Sequence, residues 1–457
     1  MSTTAAIVEP GRSVPVLVEY EVVVLGGGPA GIAAAAAAAR TGRTTLLIER
    51  YGFLGGAGTA AGLSTFCGLH ARVADGHRRV VHGVATEILD RLDRMDGLNP
   101  PHLSFQNRIQ AQAYDISAYK IAAEQLLLAA GVRLLYHALA VAITRHAGGA
   151  IDALLIESKS GRRAIRGRLF IDCSGDADLA AWAGVPFEVG DGHGNMLYPS
   201  TMFRINGVDP LKAGPAWEGI PRLMMEAEER EGRRFPRRGA IVRPQRNPIE
   251  WRANLTQISR PDGRAASGID LQELSDGETE GRRQCWEVFQ FIRERVPGFE
   301  QSYIVEIAPQ IGIRETRRVV GGYQLSEADI LGCARFADSI GVNPWPVEAH
   351  VAGNVVVRFP EAPDACGFNQ MPYRMIVPRG VDNLLVAGRC ASMTHEGQSA
   401  ARVSGPCFVM GQAAGLAADL ALRDGVRPAA IDVAILQDRL VAGGAWLGFD
   451  ATALPAG

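Results

Sequence analysis

The chain of 457 residues has few features that would direct it to nucleic acid, a disulfide scaffold or a bound metal. Its 47 lysines and arginines balance 49 acids for a formal charge of −2, and no basic run of five or more residues occurs. This balance disfavours a nucleic-acid or anionic-lipid partner. The seven cysteines form no CxxC pair, so disulfides, iron–sulfur clusters and zinc sites are not expected.

The N-terminal region lacks the patterns of export and membrane insertion. Residues 1–17 have no apolar segment after a basic start, and the uncharged residues 22–39 contain a Gly-Gly-Gly-Pro sequence that would break a spanning helix. We therefore expect a cytoplasmic protein that does not bind membranes. The 47% apolar and 21% charged residues suit a large folded core, and the length suits two or three structural units.

Glycine, by contrast, is abundant, and one glycine cluster lies within a regular series of elements. A β-branched run at residues 20–25 leads into the GxGxxG motif of residues 26–31, followed by seven alanines and a second apolar strand at residues 44–48 that ends at Glu49. In such a βαβ unit the glycines allow a tight turn and the close approach of a pyrophosphate, and the acid binds a ribose diol. The pattern predicts a dinucleotide-binding, Rossmann-like domain.

This motif alone does not separate NAD from FAD, but two later stretches favour FAD. Residues 169–176 and 383–389 each form an apolar run that ends in a glycine turn with a polar residue, where the chain could reach a longer cofactor. A second GxGxxG with its own strand and helix is lacking, which disfavours a built-in NAD(P)H domain.

The remaining pattern predicts elements around this unit. Residues 114–130 predict a helix, alternating residues 138–171 predict a β-meander, and residues 405–423 predict a helix of small residues. Residues 186–370 are richer in arginine and acids, with aromatic strands predicted at 201–205 and 251–258. We interpret this stretch as an inserted substrate-binding region.

Several segments, in order along nearly the whole chain, carry a family resemblance. They include GGGPAGIAAAAAAARTG (26–42), FLGGAGTAAGL (53–63), FIDCSGDADLAAWAG (170–184) and ARVSGPCFVMGQAAGLAADLA (401–421). With these segments the chain resembles the bacterial FAD-dependent oxidoreductase family of the two-dinucleotide-binding-motif flavoproteins, which is related to fumarate reductase flavoprotein subunits and glutathione-reductase-like enzymes.

The resemblance implies an α/β fold: a Rossmann-like FAD-binding domain of glutathione-reductase type with an inserted mixed β-sheet substrate-binding domain. The implied boundaries are residues 18–185 for the first part of the FAD-binding domain, 186–370 for the substrate-binding region and 371–457 for the C-terminal part of the FAD-binding domain.

The resemblance also implies a non-covalent FAD, and it assigns residues to the cofactor. Those residues are Gly26, Gly28, Pro29, Ala30, Gly31, Glu49, Arg50, Gly55, Gly56, Ala57, Val141, Ser174, Gly175, Asp176, Gly388, Arg389, Arg402 and Val403. The helix that follows Arg402 and Val403 is expected to point its N-terminus at the pyrimidine side of the flavin. Covalent attachment at Cys67 stays an alternative.

Four side chains are candidates for the chemistry. Arg314 lies in an arginine-rich stretch and could bind a carboxylate. His395, in a glycine-bounded loop after the last flavin strand, could act as an acid or base, and Tyr373 and Arg374 precede that strand. A structural role in a loop or at a strand end is the alternative for each of them.

We expect an FAD-dependent oxidoreductase that transfers a hydride between a small-molecule substrate and flavin N5, as a dehydrogenase, reductase or oxidase. The substrate would be an anion if the arginines bind it. A flavin-dependent monooxygenase and a non-catalytic electron-transfer flavoprotein subunit are the two alternatives. The sequence specifies neither the substrate, the direction of reaction nor the electron donor or acceptor, and the size is compatible with a homodimer.

Overall fold

The computed structural model describes residues 7–73, 76–239, 241–361 and 366–449. Its helices are α1 (Pro29–Arg40), α2 (Ala57–Ala60), α3 (Val84–Asp93), α4 (Ile116–Ala129), α5 (Asp178–Trp182), α6 (Pro210–Ala213), α7 (Ala216–Glu231), α8 (Leu271–Arg295), α9 (Glu327–Leu331), α10 (His395–Ala401), α11 (Ser404–Asp424) and α12 (Val433–Ala442). Short 3₁₀ helices span Tyr373–Ile376 and Pro428–Ala430.

The strands, in chain order, complete the architecture. They are β1 (Val16–Leu25), β2 (Thr45–Ile48), β3 (Thr65–Phe66), β4 (His70–Val73), β5 (Gly76–Arg79), β6 (His102–Ser104), β7 (Ile109–Ala113), β8 (Arg133–Leu135), β9 (Leu139–Arg145), β10 (Ile151–Glu157), β11 (Arg163–Asp172), β12 (Phe187–Val189), β13 (Phe203–Asn206), β14 (Ile241–Pro244), β15 (Trp251–Asn254), β16 (Tyr303–Ile307), β17 (Arg317–Val319), β18 (Ser339–Asn343), β19 (Val347–Val351), β20 (Asn354–Arg358), β21 (Asn369–Pro372) and β22 (Leu384–Val386).

A seven-stranded sheet in the order β8-β2-β1-β11-β10-β9, with β22 added beside β11, forms the centre of the molecule. Strands β8, β2, β1, β11 and β22 are parallel, whereas β9 and β10 form the predicted antiparallel meander with β11. Strand β11 changes neighbours along its length, because β10 pairs with Arg163–Arg166 and β22 pairs with Phe170–Asp172. The fold is therefore Rossmann-like, as the βαβ pattern predicts.

The parallel strands bring distant segments of the chain to one edge of this sheet. Beyond the strand ends, the amide of Gly26 donates to the Ile48 carbonyl at 2.9 Å, and that of Cys173 donates to the Leu25 carbonyl at 2.8 Å. The amide of Ala387 donates in the same way to the backbone carbonyl of Asp172 at 3.0 Å. Loops that follow β1, β2, β11 and β22 consequently converge, which is where ligands bind in open α/β sheets.

Helices α1 and α11 cross at very short range because glycine and alanine fill their contact. A Cβ added at Gly411 would lie 2.0 Å from the carbonyl oxygen of Ala30, and one at Gly415 would lie 2.3 Å from that of Ala34. The alanine run of α1 is buried along most of its length. Small side chains on both helices thus let the C-terminal segment pack directly onto the first βαβ unit.

A second antiparallel sheet, in the order β14-β15-β13-β16, forms a separate hydrophobic core with α7 and α8. The sequence predicts the strand that begins at Trp251 to continue to residue 258, but β15 ends at Asn254. Beyond it, the Thr256 hydroxyl accepts from the amide of Thr201 at 2.8 Å and donates to its carbonyl at 2.7 Å. A side chain therefore takes over the pairing that a longer strand would make with its backbone.

The division into residues 18–185, 186–370 and 371–457 stays a prediction, and within it residues 240, 362–365 and 450–457 lie outside the described residues. In the described ranges one helix, α11, is long and apolar enough to cross a membrane, and 83% of its apolar window is buried inside the protein. Such burial is what a core helix shows, so its length and composition are weak evidence of a span.

Candidate active site

A cavity of about 460 Å³ lies where the carboxyl ends of the parallel strands meet. Residues 26–30 after β1, Glu49 after β2, residues 174–176 after β11, and Gly388 and Arg389 after β22 all line it. Pro29 and Ala30 lie at the start of α1. The structure thus brings together most of the residues that the sequence assigns to a dinucleotide.

The glycine loop leaves the start of α1 open to this cavity. Gly28 is the N-cap of α1 and caps it with no side chain, and a Cβ on Gly28 would have its nearest neighbour at 3.7 Å, the Cα of Gly56. The first amides of the helix are therefore available to an anion that approaches this backbone. Gly31 acts differently, because a Cβ there would lie 1.8 Å from the carbonyl oxygen of Gly26. Its role is the close packing of helix on strand.

Glu49 is held rigidly at the end of β2. Its carboxylate accepts from the amide of Gly27 at 2.7 Å and from that of Tyr51 at 3.1 Å. Burial raises the pKa of Glu49, and the hydrogen bonds from these two backbone amides oppose that effect. The remaining lone pairs can accept the two hydroxyls of a ribose. Arg50 also lines the cavity, with its guanidinium 4.9 Å from the centre of the Tyr51 ring.

Arg389 ties three segments together beside the cavity. Its guanidinium donates to the Gly175 carbonyl at 2.9 Å, to the Asp176 carboxylate at 2.7 Å and to the Ile313 carbonyl. Ser174, at the start of the same turn, donates its hydroxyl to Asp172 at 2.6 Å. These bonds fix the two glycine turns that close the far side of the cofactor region.

The N-terminus of α11 also reaches the cavity, through Arg402, Val403 and Ser404. Val403 is the N-cap, and no side chain caps the helix. The Ser404 hydroxyl donates to the Cys67 carbonyl at 3.0 Å and accepts from the Cys67 amide at 2.9 Å, so the helix start is anchored to the segment after α2. Burial raises the pKa of the Cys67 thiol to about 12, which disfavours its attack on a cofactor.

A glycine loop, a buried carboxylate and an open helix N-terminus thus line one cavity. The sequence model of the family described as FAD dependent oxidoreductase matches residues 21–440 of this chain. The chain belongs to this family. The FAD cofactor and the oxidoreductase activity expected from the sequence are confirmed by this match.

Several solved structures resemble this FAD-dependent oxidoreductase at low sequence identity. A geranylgeranyl bacteriochlorophyll reductase-like protein from Thermoplasma acidophilum is 14% identical, with 93% of this chain and 82% of that chain covered and a TM-score of 0.46. A p-nitrophenol 4-monooxygenase from Pseudomonas putida is 12% identical, with 95% and 91% covered and a TM-score of 0.49. No curated protein matches the chain by sequence.

The residues of this FAD-dependent oxidoreductase fit the adenosine diphosphate half of FAD in two respects. A pyrophosphate could approach the backbone at Gly28, which has no Cβ, and the buried carboxylate of Glu49 lines the same cavity and could accept the ribose hydroxyls. A second group of side chains also lines this cavity. The flavin half of FAD extends beyond the adenosine half, and the N-terminus of α11, which is part of the same lining, is available to it.

Polar residues from other elements line the same cavity, namely Arg252, Asn254, Arg314, Glu348 and His350, and we call the space beside them the inner chamber. Of these five residues, the sequence predicts only Arg314 as a site residue. The other four lie on β15 and β19, in the predicted substrate-binding region, where no motif marks them. Alternation of polar and apolar residues in 347–350 was the available signal, and it is common to many strands.

Arg252 is a buried cation of the inner chamber. It is 4% exposed, and one nitrogen, Nη1, donates to the Leu63 carbonyl at 3.0 Å. Behind Asn254 lies Arg237, 1% exposed, whose Nη1 donates to the Asn254 side chain at 2.8 Å. Burial lowers the pKa of Arg252, and it lowers that of Arg237 to about 10. Both guanidiniums are charged at neutral pH, because arginine keeps its proton in proteins.

Glu348 and His350 form a buried pair on β19. The His350 ring nitrogen Nε2 lies 3.2 Å from one Glu348 oxygen, and the Trp345 indole donates to the other at 2.7 Å. Burial, aided by the charges of Arg314 and Arg237, holds the pKa of His350 well below its usual range. Burial acts to raise the pKa of Glu348, but His350 and Arg402 outweigh it and lower that pKa to about 2. Glu348 is thus the anionic member of the pair, and burial opposes protonation of the imidazole beside it.

Arg314 lines the cavity, as the sequence analysis proposed for a catalytic arginine. Its Nη1 donates to the Tyr198 carbonyl at 2.5 Å and to the Ser200 hydroxyl at 2.8 Å. Burial, together with the nearby charge of Arg237, lowers its pKa well below the usual range. Arg317, three residues later, instead forms an ion pair with Asp178 at 2.6 Å. This ion pair gives Arg317 a structural role.

The other three catalytic candidates lie outside the cavity lining. The Tyr373 hydroxyl donates to the Pro428 carbonyl at 2.9 Å, and the exposed Arg374 pairs with Asp338 at 2.8 Å. The His395 ring lies 3.0 Å from the buried carboxylate of Glu315. The geometry therefore gives all three side chains structural partners, and it does not support direct roles for them at the cofactor.

Three of the residues assigned to the cofactor also lie away from the lining, namely Gly31, Gly55 and Val141. The glycines support the loops from behind, since a Cβ on Gly55 would lie 2.4 Å from Thr59. Val141 is on β9, and the wall of the cavity there comes instead from the three residues before it, 138–140. Gly56 and Ala57 line the cavity as expected.

We expect His395 to contribute stability that disappears at alkaline pH. Burial acts to lower the pKa of His395, but the bond to Glu315 outweighs it, and the folded pKa lies above its ordinary value near 6.5. The stabilisation is therefore complete below about pH 6.5 and is lost as the pH rises through the folded value. The difference in free energy of unfolding between the native chain and His395→Gln should shrink over that window.

Proposed function

We propose that this FAD-dependent oxidoreductase transfers a hydride between a carbon atom of a small anionic substrate and flavin N5. The observation that supports the proposal is the continuity of one cavity, which runs from the glycine loop to the buried arginines of the inner chamber. A substrate anion held there would lie next to the part of the cavity that the flavin would fill. Arginine suits this role because its planar guanidinium binds carboxylates in a fixed geometry.

FAD, when bound, supplies the acceptor or donor of the electron pair, and the chain supplies the rest. Residues 26–31 and the start of α1 hold the pyrophosphate, and Glu49 holds the ribose. The start of α11, with Arg402, stabilises negative charge at the flavin end. Arg252 and Arg314 orient the substrate, so that little freedom remains to be lost when the reaction occurs.

We also propose that the fold is of glutathione-reductase type, with residues 186–370 as the inserted substrate-binding region. The separate core beneath the sheet of β13 to β16 supports that division. Arg252 and Asn254 come from this region, whereas Glu49 and Arg389 come from the central sheet. The active site would then lie between the two, where domain interfaces favour ligand pockets.

The purified protein should be yellow, with the two visible absorption bands of oxidised flavin. Acid should release the chromophore into the supernatant as FAD, since we expect no covalent bond. Under anaerobic conditions, an anionic substrate should bleach the flavin directly, without NAD(P)H. If the flavin is instead bleached by NAD(P)H, and the substrate only accelerates that bleaching, the protein is a monooxygenase. A colourless protein that cannot be reconstituted with FAD would refute the proposal.

A further inference from the structure

Nitrogen atoms of Arg252 and Arg237 are buried at the inner chamber without acceptors. Among the described residues, Nε of Arg252 and both Nε and Nη2 of Arg237 have no hydrogen-bond partner. An unpaired buried donor on a charged group costs about 1–3 kcal/mol or more, so proteins seldom retain one without a ligand or water to satisfy it. Arg252 lines the cavity, which makes an anion bound there the natural acceptor for its guanidinium.

The charge of the chamber is also incomplete. Glu348 favours the charged forms of Arg237, Arg314 and Arg402, and Glu315 also favours that of Arg402. Within the inner chamber itself there are two arginines, Arg252 and Arg314, and one carboxylate, Glu348. One additional negative charge, at the site of Arg252 and Arg314, would balance the chamber better than a neutral ligand. Arg402, at the start of α11, lies on the side that the flavin would take.

His350 provides the chamber with a proton acceptor. His350 lines the cavity, and its Nε2 lies 3.2 Å from a Glu348 oxygen. In the tautomer that donates from Nε2 to this carboxylate, Nδ1 has the lone pair that a substrate hydroxyl needs. Glu348 is itself fixed by the Trp345 indole, so the orientation of the imidazole is set. A neutral imidazole accepts a proton but does not donate one from Nδ1. This favours removal of a proton from the substrate, as in the oxidation of an alcohol.

We infer that the inner chamber binds a hydroxycarboxylate, with its carboxylate on Arg252 and Arg314 and its hydroxyl on Nδ1 of His350. This inference rests on the proposed function. The substrate hydroxyl gives its proton to Nδ1, and its oxygen forms a double bond to the carbon. The hydrogen on that carbon leaves with its electron pair, as a hydride, and oxidised FAD, when bound, accepts it. The product is an oxocarboxylate, and His350 returns its proton to solvent. His350 is a catalytic residue and Glu348 a positioning residue.

Binding of oxalate to the FAD-loaded protein, measured by calorimetry, is the first test. Oxalate should bind, and oxamide, its uncharged isostere, should not. Arg252→Met should weaken oxalate at least about tenfold, as expected for loss of a charge-assisted bond, while Arg252→Lys retains part of the affinity. Arg233→Met, at a surface arginine paired with Glu294, is the matched control and should bind like the native protein. Equal binding of oxalate and oxamide, or unchanged affinity in both Arg252 variants, would overturn the inference.

Flavin bleaching by glycolate, lactate and mandelate under anaerobic conditions is the second test. His350→Gln should bind oxalate normally but bleach about 100-fold more slowly, the usual contribution of a general base. The charged groups that face His350 are Glu348, Arg314 and Arg237. Glu348 favours the protonated form of His350, so Glu348→Gln should lower the pKa of His350. The increase of the bleaching rate with pH should then occur at lower pH, a shift that loss of packing alone would not cause.

These outcomes separate the inference from the proposed function. If FAD is bound and a neutral substrate bleaches it while hydroxycarboxylates do not, hydride transfer stands and the hydroxycarboxylate assignment is wrong. If no FAD is bound, the proposed function fails first. Oxalate binding that Arg252→Met weakens, with lactate or mandelate bleaching that His350→Gln slows, supports both.

Discussion

Replacing Glu49 with lysine should yield a protein that purifies without FAD. The substitution removes the carboxylate that would accept the ribose hydroxyls, and it places a cation within reach of the backbone of Gly27. Hydrogen bonds to a charged group contribute about 1.5–3 kcal/mol each. Loss of two such bonds corresponds to a weakening of FAD binding of at least about 100-fold. The measurement is the dissociation constant of FAD, from quenching of flavin fluorescence on titration of the apoprotein.

Two further variants make this result specific. Glu49→Gln retains the shape and one acceptor oxygen, so it should bind FAD more weakly than the native chain but better than Glu49→Lys. Glu229→Lys makes the same charge change at an exposed position of α7 and should retain FAD fully. Full FAD content in Glu49→Lys would show that the ribose is recognised elsewhere.

Replacing Gly411 with alanine should lower stability strongly, although alanine is normally the better helix former. The added methyl carbon would lie 2.0 Å from the carbonyl oxygen of Ala30 and 2.8 Å from its carbonyl carbon. Both are backbone atoms of α1, which cannot rotate away as a side chain would. Overpacking of this kind costs about 1–3 kcal/mol, and here it must also displace a helix. We expect a lower urea midpoint and a loss of FAD, because Ala30 lies beside the phosphate-binding loop.

The matched control is Gly219→Ala on α7. A Cβ at Gly219 meets nothing within 4 Å, so the helix there is open to a methyl group. The control should raise stability by about 0.5–1 kcal/mol, since alanine restricts the unfolded chain and favours helix. If Gly411→Ala were as stable as Gly219→Ala, the close approach of α1 and α11 would not be required.

The cofactor half of the site could be predicted from the sequence because its signals are local. The loop at 26–31 and Glu49 lie within one βαβ unit, so their spacing alone places them together. Arg389 and Val403 were found through a family pattern rather than through physics, since neither has a motif of its own. Even here the exact wall was not foreseen, because residues 138–140 and not Val141 face the cavity.

The substrate half could not be predicted, because its members come from separate strands and are defined by what surrounds them. Arg252 and His350 have ordinary sequence neighbours, and only the fold places the two together beside Arg314. His395 was selected for its position after the last flavin strand, but that argument did not reveal its partner. Glu315 lies 80 residues away in sequence, and its buried carboxylate takes the imidazole.

The pairing of β22 with the end of β11 has a consequence for the synthesis of the protein. Gly388, Arg389 and the start of α11 complete a cavity whose first loop lies at residue 26. The earlier strands can pair as they emerge from the ribosome, but FAD has no complete site until the residues up to the start of α11 have been made. A nascent chain must therefore keep the edge of β11 and the alanine face of α1 uncovered until then. Both are apolar surfaces prone to aggregation, so we expect FAD supply and chaperones to set the yield of folded protein late in translation.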